Sequence, residues 1–499
     1  FGKVLGRAGD LVRLRGLKPR FRRGGPVREV SEEPALDRLP VLTCWPDDGG
    51  PFVTFPLVHT RSPRDGSLNV GIYRMQRFGA AETGMHWQIG KGGGYHHFEA
   101  EDADRDLDVA VALGGDPALM LAAMMPLPEG LSEAAFVGLL RGRPLELSRG
   151  EAVDVPVPAG AEFVLEGTVA AGERRPEGPF GDHFGHYSAE APFPVFRVRR
   201  VYRRRQAIYP AIVVGKPPQE DGVMGNAVQE LLGPLIRLPH PEVRDLWSFE
   251  STGFHHLLAA SVEQRFAKEA MRSAFGLLGQ GQLGLTKVLV TVGRSTSPRD
   301  LDAVLDAIAR HFEPSEDFLL LPRVPFDTLD FTSYTLNLGS KMILDATPGD
   351  DPEPSWTELP DLTTVDARIR GQALLGRAIL AITVDGDDPR AVLRAALGAL
   401  PGARDGADEA PAPLPKLVAA VSPDIPLDDP TLLMWGIFTR FDPARDAFFE
   451  HSELRGAWPV HRGRMAIDAT FKPGYPEPLE MDPEVVRRVD RRWSEYGIG

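Results

Sequence analysis

Lys287-Val-Leu-Val-Thr-Val292, Phe312-Glu-Pro-Ser-Glu-Asp317 and Lys341-Met-Ile-Leu-Asp-Ala-Thr347 return in the same order as Lys416-Leu-Val-Ala-Ala-Val421, Phe441-Asp-Pro-Ala-Arg-Asp446 and Arg464-Met-Ala-Ile-Asp-Ala-Thr470. A helical pattern runs between the first two blocks of each series, from Pro298 to Phe312 and from Pro430 to Phe441. Blocks that recur in fixed order mark a duplicated unit. Each copy reads as apolar strand, helix, apolar strand, so the second half of the chain is an α/β module with an internal repeat. Two copies are too few for a solenoid. Pro- and acid-rich stretches, Pro348 to Pro360 and Pro401 to Pro415, bracket what reads as an insert with a strand, Ala378 to Val384, and a helix, Asp388 to Leu400.

Upstream the pattern is β-rich. Val41 to Thr43, Phe52 to Phe55 and Leu68 to Tyr73 read as strands parted by turns, and so do Phe163 to Leu165, Val195 to Val201 and Ala207 to Val214. Ser132 followed by Glu133 and an apolar run to Leu140 predicts a capped helix. Residues 262–278 show helical spacing, with Phe266, Ala270 and Phe275 on one side. With 52 Gly and 46 Pro, turns are frequent and helices short.

The 499 residues correspond to roughly three domains' worth of chain. A 42% apolar share is too high for a disordered chain. The net charge of −14 argues against general binding to phosphate backbones. The single cysteine, Cys44, excludes an internal disulfide and a cysteine-based zinc cluster, and fits a cytoplasmic protein. Apolar runs such as Pro117 to Met125 fall short of the ~18 residues of a membrane span. Lys3 to Arg23 holds eight basic residues and one Asp: a solvated helix face, or a contact for a partner or anionic lipid.

Three segments carry chemistry. Pro176-Glu-Gly-Pro-Phe-Gly-Asp182 places two carboxylates on either side of a Gly/Pro turn, a pattern that can raise one pKa and ready an acid to donate a proton. Asn69-Val-Gly-Ile-Tyr-Arg74 sets an amide and a guanidinium on one extended segment, and arginine can clamp a carboxylate with two hydrogen bonds. Gly90-Lys-Gly-Gly-Gly94 exposes backbone N–H groups beside a cation, as a phosphate loop does, but no Ser or Thr follows the Lys as in a Walker loop. Gly279-Gln-Gly-Gln-Leu-Gly284 follows a helix and precedes a strand, the reverse of the dinucleotide-binding context, and reads as a connection. His96 and His97 read as loop or surface residues.

Taken together, these segments resemble the UbiD family of reversible decarboxylases, which use prenylated flavin mononucleotide. The resemblance runs from Leu39 to Thr347 and resumes from Arg464 to Gly497. It rests on Asn69 to Arg74, Gly84-Met-His-Trp-Gln88, Val111-Ala-Leu-Gly-Gly-Asp-Pro117, Leu131 to Phe136, Pro176 to Asp182, Gly215-Lys-Pro-Pro218 and Gly339 to Thr347. It implies a catalytic set of Arg74, Glu177 and Asp182. Asn69 and Glu133 match the ligands of a divalent metal, usually manganese. Ile72, Tyr73, Arg74, His86, Trp87, Gln88, Lys91 and Gly92 match cofactor-contacting positions. Ala122, Ala123 and Met125 match carbonyls that hold a monovalent cation such as K+. Gly90 stands where many relatives have His, and Asp182 where some have Glu. The region that relatives carry before Leu39 is largely missing, and the stretch from Pro348 to Thr470 is not in the shortest members.

The resemblance implies a mixed α/β fold with these parts: a basic segment (1–38), a flavin-binding split β-barrel (39–260), an α/β oligomerisation domain with the first repeat (261–347), a linker and insert (348–415), and the second repeat with a C-terminal helix (416–499). It implies decarboxylation of an aromatic or α,β-unsaturated acid, and the longer layout is similar to members of menaquinone or ubiquinone pathways. A flavin prenyltransferase would supply the cofactor, and the protein would form a homo-oligomer, dimer or hexamer. Two rival readings are a catalytically decayed assembly scaffold and a metal-dependent hydrolase using His183 and His186.

Overall fold

A computed structural model describes residues 18–87, 92–125, 127, 132–349, 358–401 and 414–498. Gln88, Gly90, Lys91 and most of the basic start lie outside them. The chain forms two units. One holds the residues up to Asp182, then His186–Val214 and the segment from Pro478; the other holds His183–Gly185 and Gly215–Glu477. The expected boundary at 260 therefore falls inside the second unit, and the C-terminal helix belongs with the first. Among the described residues no helix is long and apolar enough to cross a membrane.

The first unit is built on a seven-stranded sheet. Its strands are β1 (Val30–Glu32), β2 (Pro56–Arg61), β3 (Leu68–Ile72), β4 (Glu82–Gly84), β5 (Leu107–Leu113), β6 (Phe163–Glu177) and, after a short hairpin of β7 (Phe180–Gly181) and β8 (Tyr187–Ser188), β9 (Ala191–Arg203). The order is β1-β9-β6-β5-β2-β3, with β4 also on β9, and every pairing is antiparallel. The sheet stays open, and no closed barrel forms among the described residues. In β5 alternate residues Val109, Val111 and Leu113 join a core with Val58, Tyr73, Met75, Trp87 and Phe196, as the two-residue period of a strand requires. Helices α1 (Gly92–Asp102), α2 (Pro117–Met124) and α3 (Glu133–Arg141) complete the unit. Ser132 caps α3 by accepting from the Ala135 N–H at 3.3 Å, as the sequence predicts. Two expected strands are absent. Leu42 makes only an isolated bridge to Phe52, and residues 207–214 join no ladder, since Pro210 has no N–H to give one.

The second unit begins with α4 (Glu220–Ile236). A five-stranded sheet follows, made of β10 (Val243–Ser248), β11 (Leu257–Val262), β12 (Val288–Gly293), β13 (Phe318–Pro325) and β14 (Leu338–Ala346), with helices α5 (Glu269–Leu278), α6 (Leu301–His311) and α7 (Pro314–Asp317). A second five-stranded sheet is made of β15 (Ile369–Leu375), β16 (Ile379–Val384), β17 (Leu417–Val421), β18 (Ala447–Arg455) and β19 (Trp458–Ala469), with α8 (Pro389–Ala399), α9 (Pro430–Thr439) and α10 (Pro443–Asp446). The orders β10-β11-β12-β14-β13 and β15-β16-β17-β19-β18 are the same, and so are the strand directions. The repeat is thus longer than the sequence blocks show. The supposed insert is no insert: β15, β16 and α8 are the first half of the second copy, matching β10, β11 and α5. On α5 the buried face is Ala270, Ser273, Ala274 and Leu277, whereas Phe266 and Phe275 are half exposed, so the expected apolar side is displaced. Gly279 to Gly284 is the connection into β12, as its context predicts.

Candidate active site

Residues 69–74 leave the edge of the sheet of the first unit and serve two clusters. In the first, Arg74 Nε donates to Glu177 Oε1 at 3.1 Å and Arg74 Nη2 donates to Ser188 Oγ at 2.9 Å, while Arg74 Cζ lies 4.6 Å from the centre of the Phe180 ring. His86 Nδ1 meets the other oxygen, Glu177 Oε2, at 3.2 Å, and the His86 ring stacks on Phe193 at 4.1 Å. Glu177 is fully buried at the end of β6. A Cβ on Gly84 would stand 3.1 Å from Glu177 Cγ, so that glycine leaves room for the carboxylate. Burial pushes the Glu177 carboxyl up, but the His86 hydrogen bond and the Arg74 charge outweigh it and hold the group below the usual range. Burial, helped by the Arg74 charge, holds His86 below the ordinary histidine value against the pull of Glu177. The cluster is therefore a guanidinium, a carboxylate and a neutral imidazole.

The second cluster lies at the start of α1. Because β3 is an edge strand, the Val70 N–H falls outside the ladder and donates to Glu133 Oε2 at 3.3 Å. With its amide turned to satisfy its neighbours, Asn69 oxygen accepts from the same N–H at 3.3 Å and from Gly93 N–H at 3.2 Å. One backbone donor thus brings both oxygens together. Among the described residues no Lys or Arg pairs with Glu133, and burial pushes its carboxyl up to about 7. A Cβ on Gly92 would fall 2.0 Å from the Asn69 side-chain amide, so only glycine admits the first turn of α1 there. Tyr73 OH accepts from the Gly93 N–H at 3.3 Å. Trp87 packs on His97 at 4.6 Å, and its buried Nε1 has no partner among the described residues. Ile72 ends β3. His96 and His97, expected in a loop, are buried on α1: His96 bonds Thr60 at 2.8 Å and His97 lies 3.5 Å from Glu101. At the end of α2 the Ala122 carbonyl accepts from Met125 N–H at 3.1 Å.

Asp182 is buried and follows directly on β7, in the hairpin whose other strand carries Ser188, the partner of Arg74. Its N–H donates to the His186 carbonyl at 3.2 Å. Three residues that sequence reasoning passed over brace this turn. Asp48 accepts from Gly181 N–H at 2.8 Å, Gln76 accepts from Gly178 N–H at 2.8 Å, and Ser188 bonds the Phe180 carbonyl at 3.2 Å. The only signal for Asp48 is its place in Asp47-Asp48-Gly49-Gly50, where Asp side chains bind nearby backbone. His183 and His186 fall in different units, and no group of three or more His, Cys, Asp or Glu among the described residues could hold a metal.

The 3-octaprenyl-4-hydroxybenzoate carboxy-lyase Rift-related domain matches residues 20–217, and the C-terminal domain of the same carboxy-lyase matches residues 222–346. The chain belongs to the UbiD family. A Chlamydia pneumoniae protein, named as a subunit of 4-hydroxybenzoate decarboxylase, is 39% identical over 484 residues, 96% of this chain and 79% of that protein. Among solved structures, Sedimentibacter hydroxybenzoicus vanillic acid decarboxylase in its closed form is 26% identical with a TM-score of 0.64, covering 70% of this chain and 77% of that one. The UbiD-class enzyme HmfF from Pelotomaculum thermopropionicum, in complex with FMN, is 30% identical with a TM-score of 0.61, covering 69% of this chain and 79% of that one. As a UbiD member the chain is a decarboxylase, a carboxy-lyase. The clustered Arg74, Glu177 and His86 give the decayed-scaffold reading no support.

Proposed function

We propose that this UbiD protein carries out the reversible, non-oxidative decarboxylation of an aromatic or α,β-unsaturated acid with prenylated flavin mononucleotide. The observation that carries this reading is the Arg74–Glu177–His86 cluster around the buried Glu177, with the segment 69–74 also supplying Asn69 to the oxygen pair it forms with Glu133. When bound, the prenylated flavin supplies an electron sink for the pair left as carbon dioxide departs. The residues fit such a group. Asn69 and Glu133 would hold Mn2+ through hard oxygen donors, and the Trp87 N–H, without a partner among the described residues, lies beside the first turn of α1. Ile72, Tyr73, His86, Gln88, Lys91 and Gly92 complete the proposed contact set, and the last turn of α2, with Ala122, Ala123 and Met125, is the proposed K+ site.

Arg74 has donors beyond those given to Glu177 and Ser188, and these hold the substrate carboxylate. Glu177 fixes the guanidinium and His86 fixes Glu177. The bond between the substrate carbon and its carboxylate breaks, and Asp182, as the acid, gives that carbon its proton. In the reverse direction Asp182 takes the proton back. The substrate is an acid of a quinone pathway, of naphthoate or hydroxybenzoate type, a reading supported by the name of the Chlamydia relative. The test is co-production with a flavin prenyltransferase followed by carbon dioxide release from 4-hydroxybenzoate and naphthoates. A flavin-coloured protein that releases carbon dioxide supports the reading. A chain that stays colourless after reconstitution with cofactor and Mn2+ overturns it. The basic start is proposed to touch an anionic membrane surface, and failure to bind anionic vesicles at low salt removes that part.

A further inference from the structure

The two copies in the second unit meet through reciprocal contacts. In the first copy the turn between β10 and β11, Glu250–Thr252, lies against α9 of the second. In the second copy the turn between β15 and β16 lies against α6 of the first: a Cβ on Gly376 would stand 3.2 Å from Leu305 Cβ, and Arg377 pairs with Asp306. Helix α7 of the first copy lies on β19 of the second, while α10 of the second lies on β13 and β14 of the first. Lys287, at the head of β12, donates to the carbonyls of Phe438 (3.2 Å) and Phe441 (3.0 Å) in the other copy. Its counterpart Lys416, at the head of β17, reaches back to Glu313 at 3.9 Å. Val290, Val304 and Phe312 from one copy and Ala419, Leu433 and Phe441 from the other share one continuous core.

When residue i of one body meets j of its twin, and j of the first meets i of the twin, the interface has two-fold symmetry, as in a homodimer. An apolar core shared across it is the mark of an obligate pair. The C-terminal domain of the family matches residues 222–346, which is the first copy alone. A chain ending there would expose Val304, Leu305 and Phe312, or would need a second chain to cover them.

We infer that the second copy is a covalently attached stand-in for a partner protomer. It closes this face within one chain, so one catalytic unit is served by two C-terminal copies and no second molecule is seated on this face. The occupant is the chain's own residues 369–469, held on by their linker at high effective concentration.

The test uses the full chain with Cys44→Ser and either Leu305→Cys/Gly376→Cys or, should the buried pair disturb folding, the surface pair Asp306→Cys/Arg377→Cys bridged by a short bismaleimide. The expected product is an intrachain link: all cross-linked protein runs at the mass of one chain on a non-reducing gel, at every protein concentration tried. A covalent dimer overturns the inference, because the copies then pair between chains. Absence of any link in both variants also overturns it, because the turn between β15 and β16 then does not lie against α6. Cofactor loading plays no part in the readout, so failure of the proposed activity leaves this test intact.

Discussion

Two clusters, one in each unit, combine a cation, a carboxylate and an imidazole but differ in how far water and a ligand can reach them. Arg74, Glu177 and His86 form one; Lys287, Asp330 and His256 form the other. Lys287 lies 2.7 Å and His256 3.0 Å from Asp330 Oδ2. In the second cluster every donor is spent. The three protons of Lys287 go to Asp330, Phe438 O and Phe441 O, His256 Nδ1 bonds Thr252 O at 2.6 Å, and Asp330 Oδ1 accepts from Thr332 N–H at 2.8 Å. In the first cluster Arg74 uses two donors, and its side chain and that of His86 keep 10% and 13% exposure, against 0% and 2% for Lys287 and His256. A buried cation, carboxylate and imidazole therefore do not make an active site by themselves. The first cluster is the proposed active site because it keeps hydrogen-bonding capacity that a ligand can reach.

The sharpest way to break this comparison is to exchange the roles. Asp182→Asn is expected to lower turnover of the cofactor-loaded enzyme by about 10²–10⁴-fold with the unfolding midpoint nearly unchanged. A variant that unfolds but keeps its rate per folded molecule would show that Asp182 is structural. Lys287→Met should do the opposite. It strands Asp330 in the core and is expected to cost about 3–5 kcal/mol in denaturant unfolding, and a smaller loss would mean water reaches the cluster.

Acid separates the clusters more gently. Glu177 is held below the ordinary glutamate value of 4.5, so its contribution is present above that pH and fades as pH falls through its folded value. His86 is held below 6.5, so below that pH the unfolded chain takes up the proton first and stability drops further. The stability gap between the wild type and Glu177→Gln should therefore be widest near neutrality and close toward acid. A gap that stays constant with pH would show that folding leaves the Glu177 carboxyl unshifted, and one that widens toward acid would show that it is protonated in the folded protein. The smallest effect is expected outside both clusters. Phe275→Ser on the exposed side of α5 should change unfolding by no more than about 0.5 kcal/mol, while Leu277→Ala on its buried side should cost about 2–5 kcal/mol.

Much of this was legible in residue order. The blocks around Lys287 and Lys416 announced the duplication because each is a near-continuous apolar run on a strand buried on both faces. The first half of the second copy was hidden because β15, Ile369–Leu375, mixes polar residues into an edge strand, and the linkers around it carry the Pro-rich composition of an insert. Of the proposed site, Arg74, Glu177, Asn69 and Glu133 are named by the resemblance of their motifs. Asp48, Gln76 and Ser188 are not, since each acts on backbone or side-chain groups far away in the chain.

By itself, the order of residues determined most strand and helix periods, the presence of a repeat and the cap at Ser132, which depend on local spacing that folding preserves, and its ordered motifs carried the resemblance to the family. Only the tertiary structure decided that Asn69 and Glu133 share the Val70 N–H, that Lys287 gives two hydrogen bonds to carbonyls of the other copy, and that His96 and His97 face inward. Each of those depends on which distant groups fill a donor or acceptor once water is removed, and no local pattern records that.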